Sequence, residues 1–129
     1  MNQKLASPVQ NPIYSILTMA IHTESISSVH AFQQEIARNE YKDRLVVVDF
    51  SASNCPPCQA MKPIVDTMAH DFENQVEFFE IDVNTNANVA NALGIQAIPI
   101  FKFYRNGHYV DTLVGANPAP LRQLVAALK

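Results

Sequence analysis

Apolar residues in this chain recur with two periods, one typical of strands and one typical of helices. Residues 45–50 are almost wholly apolar on both faces of a pleat, which predicts a central strand covered by helices on both sides. From residue 58 onward the apolar positions return every three or four residues, which predicts an amphipathic helix of about four turns. Pro63 lies within that helix and predicts a kink, because proline lacks an N–H donor.

Further elements are predicted on either side of this pair. Ser28 is placed to cap a helix over residues 29–39. A strand is predicted over residues 76–83, and a short helix over residues 87–93 has Gly94 as its stop signal.

The C-terminal part of the chain is predicted to contain a β-hairpin and a helix. Strands over residues 98–104 and 108–114 flank Asn106-Gly107, a pair that supplies the positive φ angles of a tight turn. Pro118 opens the last helix, whose apolar stripe is formed by Leu121, Leu124, Val125 and Leu128. The order β-α-β-α-β-α-β-β-α predicts an α/β fold in which helices flank both faces of a central mixed β-sheet.

Composition and charge exclude several classes of protein. A chain of 129 residues with 48% hydrophobic content is expected to form one folded domain and not a disordered segment. The formal net charge of −3 and the lack of a Lys/Arg run argue against nucleic acid and membrane surfaces as partners. No apolar stretch reaches the ~18 residues that a membrane span needs.

The N-terminal residues resemble a signal peptide only loosely. Lys4 precedes an apolar stretch over residues 13–21, but proline and hydroxyl residues dilute it and no small-x-small cleavage site is convincing. We therefore predict an N-terminal extension over residues 1–18 and a single domain over residues 19–129. The extension is expected to lead into a first strand near residues 17–22.

Cys55 and Cys58 are the only cysteines, and they lie where the central strand gives way to the amphipathic helix. A C-x-x-C pair at such a junction is typical of a redox site, and one short reversible bridge favours a reducing compartment, here the cytoplasm. The helix N-terminus stabilises a thiolate at Cys55, towards which the N–H groups of Cys58 and Gln59 can point. Cys58 shares the inward helix face, so we expect Cys55 to be exposed and nucleophilic and Cys58 to be shielded and resolving.

Other interpretations of the cysteines are weaker. Their placement at the junction argues against two inert buried thiols. A zinc site needs about four ligands, and the four histidines are scattered without paired spacing, so we expect no metal and no bound cofactor. Pro56 and Pro57 remove both intervening N–H groups and stiffen the turn, which should hold the sulfurs near bonding distance in both redox states.

Two residues outside the cysteine motif are further candidates. Asp49 is the lone carboxylate of the central strand, so burial should raise its pKa and suit it to accept a proton from Cys58. The alternative is a structural aspartate that is bonded to backbone. Ile98-Pro99 is expected to begin the fourth strand, and from the residues alone a trans bond is the better expectation than a cis bond.

Taken in order, these motifs resemble those of the thioredoxin family. The matching stretch runs from about residue 20 to residue 128, and its motifs are Val48-Asp49-Phe50, Cys55-Pro56-Pro57-Cys58, Pro63, Glu80-Ile81-Asp82-Val83, Gly94-Ile95, Ile98-Pro99, Asn106-Gly107 and Val114-Gly115-Ala116. The resemblance implies a thioredoxin fold and dithiol–disulfide exchange with protein substrates.

The resemblance also implies a role for each matching residue. Cys55 would attack the substrate, Cys58 would resolve the intermediate and Asp49 would relay the proton. Pro99 would be a cis-proline beside the cysteines, contrary to the expectation from the residues alone. The substrate-binding residues would be Pro56, Pro57, Ile98, Pro99 and Gly115.

The sequence departs from the family pattern beside the cysteines. Asn54 stands where thioredoxins usually have tryptophan, Pro56 where they have glycine, and Ser51 replaces a second habitual tryptophan. The loss of flat aromatic surface predicts a narrower substrate range. Glu80 replaces a lysine that is often paired with the buried aspartate, and it should raise the Asp49 pKa further.

These observations predict a cytoplasmic thiol–disulfide oxidoreductase of the thioredoxin type that reduces protein disulfides through a mixed-disulfide intermediate. A thioredoxin-reductase-like flavoenzyme would return it to the dithiol state. Two alternatives stay open. One is an oxidising or isomerising protein of the same fold, since C-x-x-C chemistry runs either way with potential. The other is a binding subunit that uses the fold for docking and retains the cysteines incidentally.

Overall fold

The computed structural model describes residues 21–23 and 25–129 of the chain. Its strands are β1 (Ile21–His22), β2 (Leu45–Ser51), β3 (Val76–Asp82), β4 (Ile100–Arg105) and β5 (His108–Val114). Its helices are α1 (Val29–Ile36), α2 (Pro56–Asp71), α3 (Ala87–Ala92) and α4 (Pro118–Leu128), with a short 3-10 helix at Asn39–Tyr41. The predicted order of elements is confirmed.

The five strands form one mixed sheet in the order β1-β3-β2-β4-β5. β2 is the central strand, and it pairs in parallel with β3 and antiparallel with β4. All seven residues of β2 are buried, as expected for a strand with helices on both of its faces. Among residues 21–23 and 25–129, β5 pairs only with β4 and forms one edge of the sheet.

Alternate residues of β2 supply two hydrophobic cores, one on each face of the sheet. Val46, Val48 and Phe50 belong to the core that includes Phe32 of α1 and Val89 of α3. The core on the opposite face contains Leu45 and Val47 of β2, Met61, Val65 and Met68 of α2, and Leu121 and Val125 of α4. The predicted helix layers on both faces of the sheet are therefore confirmed.

Some predicted boundaries are wrong by a few residues. α1 ends at Ile36 and not at residue 39, because the chain leaves helical geometry at Ala37 and then forms the 3-10 helix. β4 begins at Ile100 and not at residue 98, since Ile100 is the first residue to pair with β2. Proline has no N–H to donate to a ladder, so Pro99 is well placed outside the strand.

Two other predictions concern Pro63 and the N-terminus. α2 continues past Pro63 to Asp71, so the proline does not end the helix, and the predicted kink stays a prediction. β1 lies within the predicted first strand, of which residues 17–20 fall outside the described residues. The division between an extension over residues 1–18 and a domain over 19–129 stays a prediction.

Candidate active site

The start of α2 positions both cysteines. Cys55 is the N-cap residue, and Pro56 and Pro57 occupy the first two helical positions, where their missing N–H groups have no helical partner to lose. Cys58 follows in the same turn and is only 2% exposed, because it faces the core side of the helix. Cys55 is half-buried. One sulfur is thus shielded by the protein and the other remains accessible.

The structure shows the oxidised form of the pair. Cys55 and Cys58 are joined by a disulfide, with their Cα atoms 5.2 Å apart. The backbone N–H of Cys58 donates to Cys55 Sγ at 3.3 Å, as predicted. The N–H of Gln59 was expected to point at the same sulfur, but it donates to the Cys55 carbonyl oxygen at 3.0 Å. Because the first helical hydrogen bond uses the Gln59 N–H, one backbone donor faces the sulfur instead of two.

Asp49 lies near the C-terminal end of β2, on the same sheet face as Val47 and therefore on the face that α2 covers. Its side chain is 4% exposed, and its Oδ1 has no hydrogen-bond partner among the described residues. Oδ1 therefore makes no bond to backbone, while the alternative of a structural aspartate stays a hypothesis. The pKa of Asp49 is raised to about 7. Burial is the main cause, the negative charge of Glu80 raises the pKa further, and the positive charge of Lys62 opposes the increase.

The predicted influence of Glu80 on Asp49 is confirmed, and the structure adds Lys62 to the group. Glu80 lies opposite Asp49 in the β2–β3 ladder. Lys62 Nζ lies 2.5 Å from Glu80 Oε2, and Ser51 Oγ donates to the same oxygen at 3.4 Å. A cavity of about 70 Å³ is lined by Ile21, Asp49, Lys62, Val65, Asp66 and Glu80. Sequence reasoning missed Lys62, although its spacing of four residues from Cys58 placed it on a neighbouring part of the helix surface.

Pro99 and Gly115 lie at the end of the sheet from which the cysteine loop leaves β2. The Ile98–Pro99 bond is cis, as the resemblance implied and contrary to the expectation from the residues alone. Ile100 pairs with Phe50 near the end of β2 and with Val114 at the end of β5. The N–H of Gly115 donates to the Pro99 carbonyl oxygen at 2.8 Å. Pro99 and Gly115 thus lie near the end of β2, and Pro56 and Pro57 follow the loop that leaves it; we call this end of the sheet the active-site edge.

The two positions at which the family usually has tryptophan carry polar side chains in this protein. Asn54 is exposed, and its Oδ1 accepts a hydrogen bond from Asn84 Nδ2 at 3.4 Å. Ser51 is buried and lines a polar cavity of about 270 Å³ together with Ser53 and Gln59. The expected narrowing of the substrate range stays a prediction.

The chain matches the thioredoxin family model over residues 23–128. It belongs to the thioredoxin family. The H-type thioredoxin of Chlamydomonas reinhardtii is 39% identical over 101 residues, which cover 78% of this chain and 89% of that protein. The solved structure of Fasciola hepatica thioredoxin is 34% identical, with a TM-score of 0.74, covering 84% of this chain and 99% of the other.

The chain is also similar to a protein chain solved in work on peroxiredoxin chemistry. A chain from a study of the thiol-resolving mechanism of yeast mitochondrial 1-Cys peroxiredoxin via glutathione/thioredoxin systems is 25% identical to this one. Its TM-score is 0.73, and the match covers 84% of this chain and 95% of that chain.

Family membership and the paired cysteines confirm the predicted thioredoxin fold and the predicted activity: this thioredoxin-family protein is a protein-disulfide oxidoreductase. None of the described helices is long and apolar enough to cross a membrane. Within residues 21–23 and 25–129, no group of three or more His, Cys, Asp or Glu side chains is arranged to hold a metal ion.

Proposed function

We propose that this thioredoxin-family protein reduces disulfides of protein substrates in the cytoplasm, with Cys55 as the attacking thiolate and Cys58 as the resolving thiol. The observation that carries this proposal is the difference in burial between the two cysteines at the start of α2. Only an accessible sulfur can reach a disulfide on another protein. The helix N-terminus and the Cys58 N–H stabilise negative charge on that sulfur.

Reduction proceeds in two exchange steps. The Cys55 thiolate attacks one sulfur of the substrate disulfide, so that a mixed disulfide forms and the other substrate sulfur leaves as a thiolate. Cys58 then loses its proton to Asp49 and attacks Cys55 Sγ. The Cys55–Cys58 disulfide forms, the second substrate thiolate is released, and two electrons have passed from the dithiol to the substrate.

Asp49 is suited to this role because its pKa of about 7 allows it to accept and release a proton near neutral pH. The buried thiol of Cys58 faces the same layer between the sheet and α2 as Asp49. Asp49 lines a cavity of about 70 Å³, which supports the proposal that the proton leaves the carboxyl through this space after the reaction.

The substrate chain would bind across the active-site edge, against backbone and side-chain atoms of Pro56, Pro57, Ile98, Pro99 and Gly115. The gathering of these residues at one edge supports that assignment. A thioredoxin-reductase-like flavoenzyme would return the disulfide to the dithiol state. The similar chain from the work on yeast 1-Cys peroxiredoxin, whose thiol is resolved via glutathione/thioredoxin systems, supports proteins with reactive thiols as substrates of this chain.

Trapping of the mixed disulfide tests this proposal. Oxidised insulin is mixed with the reduced Cys58→Ser variant and with the reduced Cys55→Ser variant, and adducts are counted by mass spectrometry. Cys58→Ser should accumulate a mixed disulfide through Cys55, whereas Cys55→Ser should not. Adducts only with Cys55→Ser would reverse the two roles.

The redox potential separates reduction from the oxidising or isomerising alternative. Equilibration of the wild-type protein with glutathione buffers should give a reduction potential of about −270 mV for the Cys55–Cys58 pair, as expected for a reductant. A value near about −180 mV would instead place the protein with the isomerases.

A further inference from the structure

The outer part of β5 presents apolar side chains that no helix covers. Tyr109 is 61% exposed and Val114 is 55% exposed, and all the exposed large hydrophobic residues of the described chain lie on this strand. Tyr109, Thr112 and Val114 pair with Tyr104, Lys102 and Ile100 of β4. Since Ile100 and Tyr104 belong to the core beneath α1 and α3, the three β5 residues lie on that same face of the sheet. We call Tyr109, Thr112 and Val114 the β5 surface.

Tyr109 is held in place although most of its side chain is exposed. Its hydroxyl lies 2.9 Å from Thr112 Oγ1, and its ring packs edge-on to Tyr104 with the centroids 6.3 Å apart. Lys102 Nζ lies 5.4 Å from the centre of the Tyr109 ring and donates to Thr112 Oγ1 at 3.3 Å. A surface aromatic that is already ordered loses little side-chain entropy when a partner binds.

A cavity of about 370 Å³ adjoins Tyr109 between α1 and the hairpin, and its lining includes Phe32, Ile36, Leu93, Lys102, Tyr104 and Tyr109. Its volume exceeds that of any single side chain. No acidic residue lines it, whereas Lys102 and His108 do, in a chain whose net charge is −3. Within the described residues, no carboxylate forms an ion pair with Lys102. The chemistry of this cavity therefore complements an apolar side chain that is next to a carboxylate.

The β5 surface is continuous with the active-site edge. Val114 precedes Gly115, whose N–H donates a hydrogen bond to the Pro99 carbonyl oxygen. From Val114 the surface extends over five residues to Tyr109, a distance of about 17 Å along a strand. When the disulfide of a substrate polypeptide is held at the active-site edge, residues next to its cysteine can therefore reach Val114, and residues more than five positions away can reach Tyr109.

We propose that the β5 surface and its cavity bind the segment of a protein substrate that adjoins the reactive cysteine, and select an apolar residue next to an acidic one. This inference rests on the proposed function, because the substrate disulfide must be held at Cys55. The occupant is the disulfide-bearing polypeptide itself. Tyr109 and the cavity contact its apolar side chain, and Lys102 contacts its carboxylate.

Single-turnover reduction of synthetic peptides tests the proposal. Each peptide has a central cysteine joined by a disulfide to 2-nitro-5-thiobenzoate, whose release is followed by absorbance. One peptide has Phe-Glu pairs eight residues to either side of the cysteine, one has Phe-Lys pairs and one has Ser-Ser pairs at the same positions. The same disulfide of N-acetylcysteine is too short to reach Tyr109 and reports on the cysteines alone.

Wild-type protein should reduce the Phe-Glu peptide about fivefold faster than the Ser-Ser peptide, the size of effect expected from one aromatic anchor. Tyr109→Ser should abolish this advantage and leave the rate with the N-acetylcysteine disulfide unchanged. Lys102→Glu should reverse the preference, so that Phe-Lys becomes the faster peptide. Lys129→Glu, a matched charge reversal at the end of α4 on the other side of the sheet, should retain the wild-type preference.

Three results would overturn the proposal. The first is equal wild-type rates for the Phe-Glu and Ser-Ser peptides, with the N-acetylcysteine disulfide still reduced. The second is that both Tyr109→Ser and Lys102→Glu still reduce the Phe-Glu peptide faster than the Ser-Ser peptide. The third is a concentration-dependent dimer of the wild-type protein that Tyr109→Ser dissociates, because this would assign the β5 surface to a second copy of the chain. Failure to reduce even the N-acetylcysteine disulfide would instead contradict the proposed function.

Discussion

Asp49 on β2 and Glu77 on β3 are carboxylates on adjacent strands of one sheet, yet their pKa values move in opposite directions. Asp49 is 4% exposed, and its Oδ1 has no hydrogen-bond partner among the described residues. Burial therefore dominates and favours the protonated form, and the nearby charge of Glu80 acts in the same direction.

Glu77 is also shielded, with its side chain 16% exposed, and burial alone would raise its pKa. However, His22 Nε2 lies 3.1 Å from one of its oxygens and Arg44 Nη1 lies 2.5 Å from the other. These hydrogen bonds and charges outweigh burial and lower the pKa of Glu77. Glu77 thereby joins β1 and the start of β2 to β3. Asp49 keeps an oxygen without a hydrogen-bond partner among the described residues, which supports the proton transfer proposed for it.

Partners, and not burial alone, therefore decide whether the pKa of a carboxylate in this sheet rises or falls. The sheet provides Glu77 with two nitrogen-bearing neighbours on its own face, the guanidinium of Arg44 and the ring of His22. It provides Asp49 with a second carboxylate, Glu80, whose nearest cation, Lys62, is already bound to it. This difference leads to four predictions.

The largest expected effect is the change in the free energy of unfolding when Asp49 is replaced. The carboxyl ionises near pH 4 in the unfolded chain and near pH 7 in the folded protein. Between these values the folded state holds a proton that the unfolded state has lost, so stability falls as pH rises. We expect Asp49→Asn to raise the free energy of unfolding at pH 8 by about 2–4 kcal/mol. The gain should shrink towards zero near pH 4, as measured by urea denaturation across that range. A gain that does not depend on pH would contradict the raised pKa.

The second effect is kinetic. Asp49→Asn should slow the resolving step by about tenfold or more, because asparagine cannot accept the Cys58 proton. Attack by Cys55 should keep its wild-type rate. In acid-quenched reactions with a disulfide peptide, the variant should therefore accumulate the mixed disulfide. Glu77→Gln is the control and should resolve at the wild-type rate. Unchanged kinetics at both steps would leave Asp49 with a structural role only.

The third effect concerns the charges around Asp49. Glu80→Gln removes a negative charge and frees Lys62, so the pKa of Asp49 should fall by about one unit. Lys62→Met removes the opposing positive charge and should raise it. Carbon-13 NMR titration of the Asp49 carboxyl in the reduced protein would measure both shifts. A pKa that is unchanged in both variants would mean that burial alone sets it.

The smallest effect is expected at Glu77. Glu77→Gln should lower the free energy of unfolding at pH 7 by about 1 kcal/mol, because the ion pairs with His22 and Arg44 are only partly shielded from water. Since the folded-state pKa of Glu77 is lowered, its stabilisation is present above the unfolded pKa and is lost as pH falls through the folded value. Wild-type protein and Glu77→Gln should therefore converge in stability below about pH 4. If Glu77→Gln were the more stable protein at pH 7, the contrast with Asp49 would not hold.

The sequence by itself determined the elements of this protein and the position of its cysteines. The nearly continuous apolar run at residues 45–50 specified a central strand, because a strand that is covered on both faces has apolar residues on both sides of the pleat. The proline pair after Cys55 specified a helix start, and the spacing of Cys58 from Met61 and Val65 placed its sulfur on the buried face. Local patterns of this kind depend on neighbours in the chain and can be read without the fold.

The tertiary structure alone decided which distant groups meet. Nothing in the local sequence shows that Lys62 binds Glu80, or that Glu77 lies between His22 and Arg44. The cis bond before Pro99 could be expected only from the family resemblance, since the local chain favours trans. The Asn106-Gly107 turn predicted that β5 pairs with β4, but the contact between the Tyr109 and Tyr104 rings appears only in the folded sheet. Charge interactions, hydrogen bonds and packing act through space, so residues far apart in the chain set each other's pKa and order only once the fold has brought them together.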